Sequence, residues 1–293
     1  MRDIFQVWRQ TRMMVMTAIC AAIYVAVLAP FKGFVLIPGL TEVRPGAAIP
    51  VVMSFLFGPA AAWGSAFGNV MADILGGMLT PVSLFGFIGN FAYGYLPYAL
   101  WRALMGQTNP VRSGLKGWLM YSVILVTSCL AAGSIIGWGA DILHMAPFAA
   151  LGLIVAINNL IATAALSTVL ISLLYDRVRQ WGLLYDQIMD EDPATFLPQA
   201  TDTPAPTPTA KPRNRLALTG ATLCVMGTIA AFIPGLWISG HALHAGYGAS
   251  AFASGTAGTL AVGAGMAPGL LVLVLGTLWL SQPRRKPRST SNQ

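Results

Sequence analysis

Apolar residues gather in long blocks, separated by short stretches rich in Gly, Pro and charge. The blocks cover residues 13–30, 46–58, 59–77, 83–102, 117–137 and 147–174, and two more follow a gap, at 215–238 and 260–280. A helix needs about 20 apolar residues to cross a bilayer, fewer where its neighbours bury it. The pattern therefore predicts eight membrane helices. The second and third blocks meet at Gly58-Pro59 with no polar loop, which predicts a tight turn and a short second helix. The first block follows a basic segment in the manner of a secretory signal. However, Cys20 comes after Thr17-Ala18-Ile19, without the small residue a lipoprotein cleavage site needs, so the block reads as a retained span.

Composition points the same way. The chain is 56% hydrophobic and 9% charged, whereas a soluble domain carries about 25% charge. The net charge of +7 would suit a nucleic-acid binder if the basic residues formed one surface, but they sit in clusters between the blocks. With Met1 in the cytoplasm and eight crossings, every Lys and Arg except Lys32 and Arg44 falls on the inner side. That is the positive-inside bias of an N-in, C-in membrane protein, and it argues against nucleic acid as a partner. Cys20, Cys129 and Cys224 lie far apart within apolar blocks and read as small buried hydrophobes.

The chain divides after the sixth block. Residues 1–198 read as a six-helix module and 199–213 as a Pro/Thr-rich cytoplasmic linker, from Thr201-Asp-Thr-Pro to Lys211-Pro212. Residues 214–293 read as a two-helix appendix with a basic tail. Alternating Pro and Thr favour extended, solvated chain, so the appendix is expected to be a separate module whose removal leaves binding intact.

Polar side chains inside membrane helices mark binding work unless they only bond a neighbouring helix. Asn69 and Asp73 are four apart in the third block, on one face, with Asp73 about 20 Å along the helix from Pro59 and so in its outer third. Asn90 and Tyr93 fall in the outer half of the fourth block, and Asn158 and Asn159 near the middle of the sixth. The outer loop after the first block holds Glu42 and Arg44. Together Glu42, Arg44, Asn69, Asp73, Asn90, Tyr93 and Asn158 form the candidate substrate site. For Asp73 an interfacial position is the competing reading, and for Glu42 and Arg44 an exposed ion pair. Ala18, Ala22 and Ala26 form a smooth stripe on the first helix, read either as internal packing or as a docking face. His241 and His244 have metal-like spacing without a third ligand, and no metal or other cofactor is expected.

These features resemble the substrate-binding (S) component of energy-coupling factor (ECF) transporters. The resemblance rests on Ala18-xxx-Ala22, Glu42-Val-Arg-Pro-Gly46, Leu56-Phe-Gly-Pro-Ala-Ala-Ala62, Gly68-Asn69 with Asp73, and Gly89-Asn90 with Gly94-Tyr-Leu-Pro97, and covers about residues 10–180. It implies an all-α membrane bundle that captures a vitamin or related small nutrient from outside a prokaryotic plasma membrane. It also implies docking through Ala18 and Ala22 onto a membrane coupling (T) protein with two cytoplasmic ATPases, and toppling in the bilayer to release the ligand. Metal-transporting relatives carry His after Met1, where this chain has Arg2. The chain has no phosphate-binding Gly-x-x-x-x-Gly-Lys-Ser/Thr loop, so it is not expected to hydrolyse ATP itself. With His144, His241 and His244 at outer loops and no nucleophile–base pair, it is not expected to be an enzyme. A self-sufficient secondary transporter, or a membrane assembly protein without transport, is the alternative.

Overall fold

A computed structural model describes residues 2–31, 35–37, 41–42, 45–106, 108–110, 112–190, 215–244 and 259–282. The protein is an all-α polytopic membrane bundle. A short α1 (Arg2–Gln6) precedes α2 (Thr11–Leu28), and a two-stranded antiparallel hairpin follows, β1 (Val35–Ile37) against β2 (Thr41–Glu42). Then come α3 (Ala48–Phe57), α4 (Pro59–Leu75), α5 (Val82–Leu104), α6 (Gly114–Ile142), α7 (Phe148–Gln180), a short α8 (Tyr185–Asp190), α9 (Arg215–His244) and α10 (Thr259–Leu280). Their boundaries follow the eight apolar blocks, with α6, α7 and α9 extending five or six residues beyond them.

Among the described residues, five helices are individually long and apolar enough to cross a membrane: α2, α6, α7, α9 and α10. The other three differ for physical reasons. At ten residues, α3 spans about 15 Å, half a bilayer. The 17 residues of α4 are also short, and α5 carries Asn90, three tyrosines and Arg102. All three are covered by neighbouring helices, as the mostly buried surface of α3 and α5 attests.

Gly58 makes the α3–α4 turn with a φ of +51°, and Pro59 opens α4 at a position that needs no N–H donor. A side chain at Gly58 would be strained by that φ and would crowd the Tyr98 and Tyr185 rings, 3.1 Å from its Cβ. On α2 the buried residues Met13, Thr17, Cys20, Tyr24 and Leu28 recur every three or four positions. This face meets Gly64 and Gly68 of α4, where any Cβ would collide with Cys20 or Tyr24. Small residues let the two backbones approach, the main source of helix association where lipid is as apolar as the interface. Pro97 interrupts the bonding of α5, and the Ser54 hydroxyl of α3 accepts the N–H of the next residue, Tyr98, at 3.0 Å.

The ends of the bundle differ. At one, the basic end, Arg102 pairs with Asp186 at 2.7 Å and Arg112 with Asp176 at 3.0 Å, and α1 and α8 pack under the α3–α4 turn. Above them the bundle is solid, with Ala60, Ala61, Ala62, Leu96, Leu100 and Ile124 fully buried. The other, the hairpin end, carries β1–β2 and the polar groups described below.

α9 and α10 pack on each other and on α5, α6 and α7, and a single apolar core runs from Val51 and Leu100 to Phe232 and Leu273.

Candidate functional site

Three helices bring their polar residues together toward the hairpin end. On α4, Asn69 is buried and its amide donates to Asp73 Oδ2 at 3.4 Å, while Asp73 itself is half-buried. The Asn69 amide has room because its neighbour on α5 is Gly86: a Cβ there would lie 2.8 Å from Asn69 Nδ2. On α5, the amide of Asn90 donates to the Gly86 carbonyl at 2.9 Å, and its oxygen accepts from the Tyr24 hydroxyl of α2 at 3.0 Å. Asn69, Asp73 and Asn90 thus lie together around Gly86.

Tyr93 lies one turn deeper on α5 and is 1% exposed. Its hydroxyl donates to the Ala47 carbonyl at 3.0 Å and meets the Thr163 hydroxyl of α7 at 2.5 Å, with the Cys129 thiol of α6 at 3.9 Å. This knot ties the segment entering α3 to α5, α6 and α7, forming a floor rather than a free hydroxyl. Asn158 is buried on α7, one and a half turns toward the hairpin end from Thr163, and Asn159 is half-buried. β2 packs against α7. Of Glu42 only the backbone, in β2, is described, and Arg44 lies outside the described residues.

Ala18, Ala22 and Ala26 all lie on the exposed face of α2, among Val15, Ile19 and Ile23 and opposite the face that meets α4. A cavity at the basic end, lined by Tyr98, Trp101, Arg102, Tyr185 and Asp186, is remote from the polar cluster. Its charges are already matched, Arg102 bonding both Asp186 and the Tyr98 hydroxyl. His241 bonds the Trp237 carbonyl at 2.9 Å.

Sequence reasoning missed Tyr24 and Thr163. Tyr24 is the hydroxyl-bearing residue in the later half of α2 on the face opposite the alanines, and Thr163 stands four residues after Asn159; these spacings were the available signals. It also ended the fifth span before Asp141, which is 2% exposed and accepts the N–H of Phe148, the first residue of α7, at 2.7 Å.

No curated protein and no solved structure matches the chain. The family model described as QueT transporter matches residues 14–176, from α2 through most of α7. With more than half of its length matched, the chain belongs to the QueT transporter family, whose members are S components of ECF transporters.

Proposed function

We propose that this protein captures a queuosine precursor at the hairpin end, outside a prokaryotic plasma membrane, and delivers it to an ECF coupling protein with two ATPases. The substrate follows from the family and the chemistry of the cluster. Queuosine is a 7-deazaguanine nucleoside, so its precursors present a guanine-like edge of adjacent N–H donors and a carbonyl acceptor. Asp73 accepts from such donors, and the amides of Asn69 and Asn90 both donate and accept. The observation that carries the reading is the convergence of Asn69, Asp73 and Asn90 around Gly86, at the end capped by the β-hairpin. The proposed set also includes Glu42 and Arg44 as the charged candidates of the outer loop, with Asn158 approaching from α7 and Tyr93 supporting the floor.

The positive-inside bias of the sequence supports a cytoplasmic basic end and an N-in, C-in orientation. The exposed stripe of Ala18 and Ala22 is the docking face for the coupling protein, where small residues permit close helix approach. ATP hydrolysis belongs to the partners, and this chain acts by binding alone.

The test is calorimetric titration of detergent-purified protein with a 7-deazaguanine base. Asp73→Ala removes a charged acceptor, which costs about 1.5–3 kcal/mol, or roughly ten- to a hundredfold in affinity. Expression and monodispersity should be unchanged. Equal affinity in parent and variant would place Asp73 at the membrane interface and remove the central residue of the site.

A further inference from the structure

The family match ends at residue 176, so it leaves α9 and α10 without a role. Within this pair the backbones nearly touch: a Cβ at Gly227 would lie 2.4 Å from the Leu273 nitrogen, and one at Gly269 2.3 Å from the Ala231 nitrogen. The stiff pair grips the rest of the bundle near the hairpin end at three points. The Trp138 indole of α6 donates to the Gly263 carbonyl of α10 at 3.2 Å. The N–H of Ala149, in the first turn of α7, donates to the Ser239 hydroxyl of α9 at 3.0 Å. Phe148 is fully buried, edge-on to Phe232 at 5.6 Å, and pressed against Gly235, where a Cβ would lie 2.7 Å from its ring.

The first grip leads into the polar cluster. Trp138 stands edge-on to Phe85 of α5 at 5.9 Å, and the Phe85 ring fills the space over Gly139, the residue after Trp138. Next to Phe85 is Gly86, the wall that receives the Asn69 amide. An unbroken set of contacts therefore runs from Gly263 through Trp138, Phe85 and Gly86 to Asn69 and Asp73.

We propose that α9 and α10 are a built-in positioning element for the substrate cluster, holding the ends of α5, α6 and α7 so that Gly86 stays seated against Asn69. The proposal rests on reading that cluster as the substrate site. It replaces the expectation of an independent appendix, because a module that only recruits partners has no need to grip Trp138 and Phe148. Trp138 is a positioning residue acting through Phe85, without touching ligand.

The experiment uses full-length protein with Trp138→Phe, which keeps a ring against Phe85 but removes the bond to Gly263. The control is Trp279→Phe, which removes the equivalent bond to the Leu216 carbonyl at the far end of the same pair. Without ligand, amide hydrogen exchange across residues 82–90 should rise in Trp138→Phe and stay at the parent level in Trp279→Phe. With a 7-deazaguanine base, affinity should fall roughly two- to tenfold in Trp138→Phe alone. That loss should shrink in an Asn69→Ala background, because the two residues act in series; a general loss of stability would instead add. Gly235→Leu, wedged against Phe148, should act in the same direction. Unchanged exchange over 82–90 in Trp138→Phe overturns the proposal, whatever becomes of the substrate reading. So does additivity with Asn69→Ala. Raised exchange in a protein whose parent binds no 7-deazaguanine base supports the brace and sinks only the substrate assignment.

Discussion

Tyr93→Phe separates two roles for one residue. As a ligand contact, Tyr93 would lose affinity without losing stability; as the floor of the site, it would lose stability first. The hydroxyl removed makes two close bonds, to Ala47 and to Thr163, both between segments far apart in sequence. Interhelical hydrogen bonds in membrane proteins contribute about 0.6 kcal/mol on average and up to about 1.7. Part of the loss is recovered, because the Thr163 hydroxyl can turn to a carbonyl of its own helix. The Ala47 carbonyl has no such recourse through its own side chain. The two bonds together predict a destabilisation of roughly 1–3 kcal/mol. The assay is equilibrium unfolding of the ligand-free protein in mixed detergent micelles, followed by near-ultraviolet circular dichroism. Affinity for a 7-deazaguanine base, measured below the unfolding transition, should change by less than about threefold, the equivalent of about 0.65 kcal/mol. Unaltered ligand-free stability together with a tenfold loss of affinity would refute the floor and return Tyr93 to the ligand.

Gly86→Ala should leave stability nearly unchanged, since its Cβ meets only the movable end of Asn69, yet weaken binding about fivefold by pushing that amide away from Asp73; calorimetry on a protein of parental melting temperature decides it, and full affinity would detach Asn69 from the site. Gly64→Val places its Cβ 2.5 Å from that of Cys20 and 2.9 Å from the Thr17 carbonyl, so it should cost at least about 1–3 kcal/mol by overpacking, seen as a lower unfolding midpoint. Trp at Ala18 or Ala22 should abolish uptake in cells that supply the coupling protein while sparing binding to the isolated chain, because the stripe is exposed and has no internal packing to lose. Normal uptake by both variants would make it a lipid-facing surface.

The helices were legible because each needs only a long apolar block, and the α3–α4 turn because Gly58-Pro59 offers no polar residue to solvate. The polar residues of α4 and α5 were legible because Asn69, Asp73 and Asn90 have no place in a purely apolar span. What joins them was not. Tyr24 meets Asn90 across 66 positions, and no local period records a partner so distant. The reach of α6 to Ile142 was hidden because Trp138, the nearby glycines and Asp141 dilute its apolar pattern, although each is occupied by a contact from α5, α7 or α10. The grip of α9 and α10 on the bundle was likewise invisible, since their own sequences carry all the marks of self-sufficient spans.

The half-length of α3 has a consequence for how a ligand leaves. Its ten residues fill only the half of the bundle nearer the basic end, above the Gly58 turn and beside the fully buried alanines of α4. A transporter that opens alternately to each side needs two gates and a weak seam through both halves. In this protein a passage through the basic half would have to part the fully buried Ala60–Ala62 from Leu96 and Leu100 and open voids that helix packing does not tolerate. Under the proposed reading of the site, the ligand leaves by the end it entered. On that proposal, delivery to the far side falls to the orientation of the whole molecule, which makes the bilayer and the partner, rather than an internal channel, the moving parts of the cycle.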